Sequence, residues 1–333
     1  MSKLNGVYIC PTGIGLKKAG DAAFNPGVKL LAKCTENLIV NPNSVNASDI
    51  MELPENGWYT EGSCIDRFLE GEINLQKPKT QNKILMIVNS PVMPVNINGM
   101  NQGIWGLGAN IEVLGLNTPL RMKTKINSDG SAGGEFTGAD ELIEQVKNCR
   151  KNFDCIALHT FIECPADVAS YYFSNGGVNP WGAVEAIVSK YLSNALNKQV
   201  VHAPSENEST KVYTRLAVQP HMAPEIVSNC FLFCILKGLH RAPRLVNRGI
   251  FGGNVLRNED IDFLVTPHGC WGRPHEAACK LGIPIIVVEE DTTIFSDGFE
   301  YPSYKNLIFV KNYLECAGLL QCMNAGIDHH LIL

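Results

Sequence analysis

The sequence lacks a long apolar run, an excess of charge of one sign and the usual phosphate-binding motifs. No segment of the 333 residues reaches the roughly 18 apolar residues that a bilayer-spanning helix needs, so we expect no membrane partner. The 28 basic residues are balanced by 33 acidic ones, and neither sign gathers into runs, which argues against nucleic acid as a partner. Neither GxGxxG nor a Walker loop occurs, so no dinucleotide or P-loop site is predicted.

The sequence also lacks a CxxC motif, although it contains 12 cysteines. These cysteines are scattered through apolar segments of a long chain, unlike the dense disulfide framework of a small secreted domain. The N-terminal segment MSKLNGVYICPTG has only a short apolar run before Pro and Gly, which does not resemble an export signal. We therefore expect reduced core thiols and a cytoplasmic protein, and no cofactor is predicted.

Apolar runs of strand length alternate with helical segments along the chain. The runs are rich in Val, Ile and Leu with little strict alternation, which is typical of strands covered on both faces. This order predicts an α/β fold with a mainly parallel, doubly wound (Rossmann-like) sheet, either as one large domain or as two lobes around a cleft. The predicted strands are 6–10, 37–40, 84–89, 111–116, 153–159, 199–202, 263–266, 283–289 and 307–311, and the predicted helices are 26–33, 139–149, 181–196, 224–238, 274–281 and 313–325.

Two irregular segments interrupt this alternation. Residues 41–82 are rich in Asn, Glu, Gly and Pro, with one short helix near 64–70, and we expect them to pass over the strand ends. Residues 121–138 are rich in Gly and Ser, and a long irregular segment in a compact protein is often functional, so they are predicted to be an interlobe linker or a lid. The predicted domains are an N-terminal α/β lobe at 1–120 and a C-terminal α/β lobe at 139–333.

Three predicted strands end on a histidine, at His159, His202 and His268. The carboxyl ends of strands in an open parallel sheet border the ligand crevice, so the three imidazoles are expected to converge on one bound molecule. There they act as general acid and base, or they bind a divalent metal as three neutral ligands, or each bonds a neighbouring carbonyl as a structural group. For the three together, catalysis or ligand binding is favoured over a metal site. His268 is the favoured catalytic group, and His159 is the one expected to be structural.

Two of the predicted helices begin with the same dipeptide. Trp-Gly stands at 181–182 and at 271–272, and each pair is followed by Glu-Ala in the first helical turns, at Glu185 and Glu276. The likeness predicts two similar βαβ units. A glutamate in a first turn also complements the helix dipole without any catalytic role, and both interpretations of Glu185 stay open.

The segment after His268 carries further candidates. Cys270 stands directly before a predicted helix start, where the helix dipole and a nearby imidazole lower the pKa of a thiol, so it is a candidate nucleophile; the alternative is a small buried spacer. Arg273 is predicted to hold a carboxylate or phosphate with two hydrogen bonds, while Trp271 supplies a flat wall. The alternative for Arg273 is a surface ion pair with Glu276 or Asp291.

A glycine-containing loop, CPTGIGLKKAGDAA, follows the first predicted strand. Gly13 and Gly15 allow the backbone to approach an anion or an amide oxygen, and Asp21 is a candidate carboxylate partner for the histidines. The complete predicted catalytic set is His159, His202, His268, Glu185 and Cys270, and the predicted substrate-binding set is Thr12, Gly13, Gly15, Asp21, Asn179, Trp181, Trp271, Arg273 and His275.

The segments PTGIG, NASD, YTEGSCIDRFLEG, GGVNPWGAVEA, VHAP and TPHGCWGRPHEAA together resemble those of an uncharacterised bacterial family known as a domain of unknown function. The resemblance spans most of the chain. It implies a bacterial protein of conserved fold and about this length, and it carries over no activity. The last segment, with GIPIIVVEED, separately resembles the nucleotide-sugar loop of two-lobed glycosyltransferases and related epimerases.

Two classes of function are compatible with these features. The first is a small-molecule enzyme, a hydrolase or lyase that acts on a compact anionic or amide-bearing metabolite by histidine acid/base catalysis. The second is a non-catalytic protein that binds a nucleotide-like or sugar-like ligand in the same crevice, and a glycosyltransferase-like or epimerase-like enzyme is a third option. The apolar helix predicted at 224–238 belongs either to the core or to a subunit interface, which favours a homodimer.

Overall fold

The computed structural model describes residues 4–16, 25–47, 50–205 and 231–332, together with residues 217 and 223. The strands within these ranges are β1 (Asn5–Tyr8), β2 (Asn37–Val40), β3 (Asn46–Ala47), β4 (Ile50–Met51), β5 (Gly57–Tyr59), β6 (Asn74–Gln76), β7 (Lys83–Asn89), β8 (Asn110–Leu116), β9 (Arg121–Ile126), β10 (Ala132–Thr137), β11 (Cys155–His159), β12 (Ile162–Glu163), β13 (Gln199–His202), β14 (Arg244–Val246), β15 (Val255–Leu256), β16 (Phe263–His268), β17 (Ile285–Thr292) and β18 (Leu307–Val310). The helices are α1 (Asn25–Ala32), α2 (Gly62–Leu69), α3 (Pro94–Leu107), α4 (Ala139–Asn148), α5 (Ala166–Asn175), α6 (Gly182–Leu196), α7 (Leu232–Leu239), α8 (Arg273–Leu281) and α9 (Tyr313–Ala325).

Two parallel sheets form the framework of the protein. The larger sheet has six strands in the order β18-β17-β16-β1-β2-β5, and the smaller has four strands in the order β13-β11-β7-β8. Every pairing between neighbouring strands in these two sheets is parallel. The predicted α/β fold with a mainly parallel sheet is confirmed.

Successive residues of the central strands enter different hydrophobic cores. In β1, Val7 packs into an outer core and Tyr8 packs into a core that both sheets share. In β7, Leu85 packs into a second outer core and Met86 packs into the shared core. The strands are therefore covered on both faces, which explains why they have near-continuous apolar sequences.

The strand order does not follow the predicted domain boundaries near residues 120 and 139. Strands β1, β2 and β5 come from the first part of the chain, yet they share a sheet with β16, β17 and β18 from its last part. The smaller sheet is built from the chain between them. Parallel pairing allows this arrangement because the connections between strands can be long.

Residues 121–138 form regular structure where a linker or a lid was expected. They contain the antiparallel hairpin β9-β10, whose strands pair from Arg121↔Thr137 to Ile126↔Ala132. The hairpin is tied to the loop after β1, since the Ala132 N–H donates to the Gly13 carbonyl at 2.8 Å. The Gly- and Ser-rich segment is therefore a hairpin, and β12 adds a third strand to it by pairing with β9.

Residues 224–230 of the predicted apolar helix lie outside the described residues. The described remainder is α7, and its Leu232, Ile235 and Leu236 are buried in the shared core. This part of the helix is used by the chain's own core, so it does not support the predicted homodimer, which stays a prediction. Among the described cysteines most are buried, and no disulfide joins them.

Candidate functional site

A cavity of about 390 Å³ lies at the carboxyl ends of strands from both parallel sheets. Ile9 directly after β1, Asn41 directly after β2 and His202 at the end of β13 all line it. Helices α2 and α6 supply further parts of its wall. This is the position where open α/β sheets bind their ligands.

Helix α6 presents one of its faces to the cavity. The lining residues recur every three or four positions, which places them on one side of the helix: Gly182, Glu185, Ala186, Ser189 and Lys190. Asn179 fixes the helix entrance, because its Oδ1 accepts from the N–H groups of Trp181 at 2.9 Å and Gly182 at 3.2 Å. A Cβ atom at Gly182 would lie 2.2 Å from Thr12 Oγ1, so the Trp-Gly entrance permits close packing of α6 on the loop after β1.

Helix α2 and the residue before it supply two further carboxylates, Glu61 and Asp66, and the sequence pointed only to Glu61, as one of several possible partners of the histidines. Glu61 caps the helix: its Oε1 accepts from Ser63 N at 3.0 Å, and its Oε2 accepts from Ser63 Oγ at 2.5 Å and Cys64 N at 3.1 Å. Asp66 lies 3.7 Å from Arg273 Nη1. Burial raises the pKa of Asp66 to about 6, and the positive charge of Arg273 offsets only part of this effect. In the sequence, the one signal for this part of the site is the polar segment TEGS, which directly follows the apolar segment GWY.

His202 is the buried histidine of the cavity. Its side chain is 0% exposed, and its Nε2 lies 3.0 Å from Thr160 Oγ1. Its Nδ1 has no hydrogen-bond partner among the described residues and lies 3.9 Å from Glu185 Oε2. A single N or O atom about 2.8 Å from each of these two atoms fits between them, because they are closer than twice that length. The pair is therefore placed to share one polar atom of a bound molecule.

His159 and His268 do not line the cavity. His159 Nδ1 donates to the Ala203 carbonyl at 2.9 Å, and burial lowers the pKa of His159 to about 4, so the ring is neutral and structural. At the end of β16 the pairing with β17 shifts register between Pro267 and His268. Such an irregularity re-aims the side chain that follows it, and His268 Nδ1 bonds Tyr301 Oη at 2.9 Å. The structure does not bring the three imidazoles to one ligand.

Because the three histidines lie apart, the alternative in which they bind one divalent metal together is also not supported. Within the described ranges, His159, His202 and His268 do not form a group whose ligand atoms lie within 4.8 Å of one another. The group that meets this distance consists of Asp328, His329 and His330 near the C-terminus. There Asp328 Oδ1 accepts from His330 N at 3.0 Å and the two imidazole centroids are 4.1 Å apart.

Cys270 and His275 are buried beside β16 and do not line the cavity. Burial raises the pKa of the Cys270 thiol to about 12, which is the opposite of what a nucleophilic thiolate needs. His275 Nδ1 accepts from Gly272 N at 3.1 Å, so its Nε2 carries the proton and donates to Thr266 Oγ1 at 2.9 Å. Burial lowers the pKa of His275 to about 4. Both side chains fit the structural alternative.

Arg273 and Trp271 are likewise used by the protein itself. Arg273 donates to both oxygens of Glu70, from Nε at 2.9 Å and from Nη2 at 2.5 Å. Arg273 therefore forms a surface ion pair, as in the alternative to anion binding, but its partner is Glu70 and not Glu276 or Asp291. Trp271 stacks on the His275 ring with a centroid separation of 4.9 Å. Neither residue lines the cavity.

The loop after β1 contributes Thr12 to the cavity, but not Gly13 or Gly15. Both glycines have positive φ values, and a Cβ atom at Gly13 would lie 2.8 Å from Ala183 Cβ. Gly13 therefore serves the packing of the loop on α6, whereas a Cβ atom at Gly15 would lie 3.1 Å from Val178 Cγ2 and 3.2 Å from Ile294 Cγ2. Asp21 lies outside the described residues. The predicted site residues that do line the cavity are Thr12, Asn179, Trp181, Glu185 and His202.

Comparison with known proteins places the chain in a family. A model of the family described as "protein of unknown function (DUF3326)" matches residues 5–332. The chain belongs to this family. The resemblance to a domain of unknown function is thereby confirmed, and the family description assigns no activity.

One curated relative is described as an uncharacterized lipoprotein of Synechococcus sp. It is 28% identical over 341 residues, which cover 98% of this chain and 92% of the relative. The cytoplasmic location predicted from the sequence is wrong by this finding, because the relative is described as a lipoprotein. Among the described residues, no helix is long and apolar enough to cross a membrane.

One solved structure resembles the chain weakly. It is the ligand-free, open structure of a substrate binding protein with adhesive properties from Clostridium difficile. The match covers 92% of this chain and 99% of that chain at 14% identity, with a TM-score of 0.21. A score this low carries no argument about fold or function.

Proposed function

We propose that this member of the DUF3326 family is a small-molecule enzyme, a hydrolase or a lyase, in which His202 transfers protons inside the cavity. The observation that carries the proposal is the Nδ1 atom of His202. It is buried, has no partner among the described residues, and lies 3.9 Å from Glu185 Oε2. A buried polar atom without a partner costs roughly 1–3 kcal/mol, so a bound molecule that supplies the partner is favoured.

The neighbours of His202 suit this role. Glu185 stabilises the imidazolium that forms when Nδ1 takes a proton, and Thr160 holds the ring through Nε2. In a hydrolase the proton comes from an attacking water, and in a lyase it comes from the substrate itself. The anion-binding candidates Gly13, Gly15 and Arg273 do not line the cavity, so the proposal retains an amide-bearing metabolite and not an anionic one.

The test is a conversion assay that covers several classes of small molecule at once. The protein is incubated in D₂O with a defined mixture of small carboxylates, amides and amines, and consumption or deuterium exchange is followed by NMR. We expect conversion by the unaltered protein and a loss of at least about 100-fold in His202→Gln, since acid/base groups contribute this much or more. His268→Gln is the matched control and retains the activity, because His268 does not line the cavity.

Undiminished conversion in His202→Gln rules out the proposed mechanism. If a component of the mixture binds with saturation and the protein never converts it, the non-catalytic binding protein is the correct alternative. The two outcomes are separated by measuring binding and turnover on the same samples.

A further inference from the structure

The walls of the cavity carry an excess of negative charge. Among the described lining residues, Glu61, Asp66 and Glu185 are acidic and Lys190 is basic. Glu61 is only 5% exposed, whereas Lys190 is exposed to solvent. Charge interactions are stronger between low-dielectric walls than in water, so these carboxylates disfavour an anion and favour a cation.

The charge of Asp66 is only partly compensated by the cations near it. The nearest cation, Arg273, approaches it only to 3.7 Å and directs its short hydrogen bonds to Glu70. Burial raises the pKa of Asp66 to about 6 in spite of the opposing charges of Arg273 and Lys190. A cation inside the cavity would stabilise the ionised form.

Aromatic rings form another part of the same wall. Four of them line the cavity: Phe161, Phe173, Trp181 and Phe231. The Trp181 ring is held by Phe173 and Tyr172, with centroid separations of 5.5 Å and 5.9 Å. An aromatic face attracts a cation, and tryptophan does so most strongly. A cavity wall that combines carboxylates with aromatic faces is suited to bind an ammonium group.

Three buried polar atoms of the cavity wall have no hydrogen-bond partner among the described residues: Thr12 Oγ1, Asn46 Oδ1 and His202 Nδ1. Asn46 donates through its Nδ2 to Tyr59 Oη at 3.0 Å, which leaves its Oδ1 as an acceptor. The Thr12 hydroxyl also accepts, as does His202 Nδ1 when the proton is on Nε2. Each of these three atoms can accept a hydrogen bond from a ligand, and an ammonium group offers N–H donors and no acceptor.

We propose that the cavity binds its metabolite through a protonated amine, held between the carboxylates of Glu61, Asp66 and Glu185 and the aromatic wall around Trp181. The inference names a class of substrate for the proposed enzyme, and in this respect it rests on the proposed function. The binding of an amine is measured without any turnover.

A series of four-carbon probes tests the proposal, because its members share a carbon skeleton and differ in the charge of their ends. Butane-1,4-diamine is cationic, butane-1,4-diol is neutral and succinate is anionic. Isothermal titration with the full chain is expected to show the diamine binding at least about tenfold more tightly than the other two probes. Asp66→Asn is expected to remove most of this preference, and Asp297→Asn, which changes an exposed carboxylate outside the cavity lining, is expected to retain it.

Equal affinity for the three probes, tighter binding of succinate, or no binding of the diamine up to roughly 10 mM overturns the proposal. Glu185→Gln serves as a second variant if Asp66→Asn does not fold. Preferential binding of the diamine without conversion of any amine upholds the amine site and removes the catalytic role of His202. Equal affinities for the three probes, together with conversion of substrates that contain no amine, would remove the amine site and uphold the catalytic role of His202.

Discussion

Two βαβ units of the protein have similar sequences at their helix entrances. They differ in whether the polar groups at their strand ends have hydrogen-bond partners within the protein. The first unit is β11-α6-β13 and the second is β16-α8-β17, and in each a Trp-Gly pair stands at the helix entrance. Glu185 of the first unit lines the cavity, whereas its counterpart Glu276 is exposed to solvent. The two helices therefore share an entrance but use their glutamates differently.

The hydrogen bonds at the strand ends explain the difference. In the second unit, Tyr301 Oη accepts from Gly269 N at 3.0 Å and bonds His268 Nδ1 at 2.9 Å, so the protein satisfies these polar groups itself. In the first unit, His159 at the end of β11 donates to the Ala203 carbonyl, whereas the end of β13 leaves His202 Nδ1 without a partner among the described residues. A shared motif thus shows how a strand and a helix meet, and unsatisfied atoms show where a ligand is needed.

Acid should weaken both units, because each contains a buried histidine whose pKa is lowered by burial. His159 and His275 have pKa values of about 4 in the folded protein against about 6.5 when unfolded. Between pH 6.5 and pH 4 the unfolded state therefore binds protons that the folded state does not bind. The contribution of each histidine to the free energy of unfolding is complete above pH 6.5 and is lost as the pH falls towards 4. Each histidine accounts for at most about 3 kcal/mol, at roughly 1.4 kcal/mol per pKa unit.

Urea unfolding at pH 7.5 and pH 4.5 measures this effect. His159→Gln and His275→Gln should each reduce the loss of stability on acidification by a similar amount, and the exposed His330 supplies the control His330→Gln. An unchanged acid loss in one of the two core variants would mean that the unit concerned is not held by a neutral imidazole.

The two glutamates should differ most in turnover. Glu185→Gln removes the charge that stabilises the His202 imidazolium, and we expect a loss of roughly 10–100-fold with a shift of the pH profile, because one charge partner contributes part of the effect of the base. Glu276→Gln makes the same chemical change in the second unit and should leave turnover unaltered. Equal losses in the two variants would show that the helix dipole, and not the cavity, explains both glutamates.

Much of the fold could be predicted from the apolar runs. All nine predicted strands lie in the two parallel sheets, within three residues of their observed bounds, because strands buried on both faces have sequences that stand out. Helix α3 was missed since it contains several glycines. Its Gly103 is explained by packing, because a Cβ atom there would lie 2.6 Å from an Ile111 side-chain atom. Such close approaches are tertiary and leave no local pattern.

The site could be predicted only where it belongs to elements that the sequence identified. Glu185 and His202 belong to a predicted helix and a predicted strand, and both line the cavity. Asp66 lies in the short helix that the sequence predicts near 64–70, but it was missed because the side of this helix that lines the cavity is set by tertiary packing and leaves no local pattern. His268 was favoured because a register shift between two paired strands cannot be read from either strand alone.

Asp66 joins the two units, since it lines the cavity and faces Arg273 of α8. Its pKa is raised to about 6 by burial, against about 3.9 when unfolded, so its ionisation favours unfolding as the pH rises through this interval. Asp66→Asn should therefore stabilise the protein at pH 7.5 by about 1–2 kcal/mol, after allowance for screening, and should have little effect below pH 4. Urea unfolding at both pH values measures this; a variant less stable at pH 7.5 would show that attraction to Arg273 outweighs burial.

Arg273 should have the smallest effect, because its pair with Glu70 lies at the surface, where such pairs contribute about 0–1 kcal/mol. Arg273→Gln should cost less than about 1 kcal/mol in urea unfolding. It should also raise the pKa of Asp66 further, measured by carboxyl NMR, since the positive charge that lowers this pKa is removed.

The exposed pair of Arg248 and Glu259 offers a matched control, because Arg248→Gln breaks a similar contact, of 3.0 Å, without touching Asp66. The two variants should lose similar stability, and only Arg273→Gln should change the titration of Asp66. A large loss of ligand affinity in Arg273→Gln, with Asp66 unaffected, would place Arg273 in the ligand site beside Pro274 of the same helix. Unaltered binding would instead mean that Arg273 of the second unit supports the cavity of the first unit without contacting the ligand.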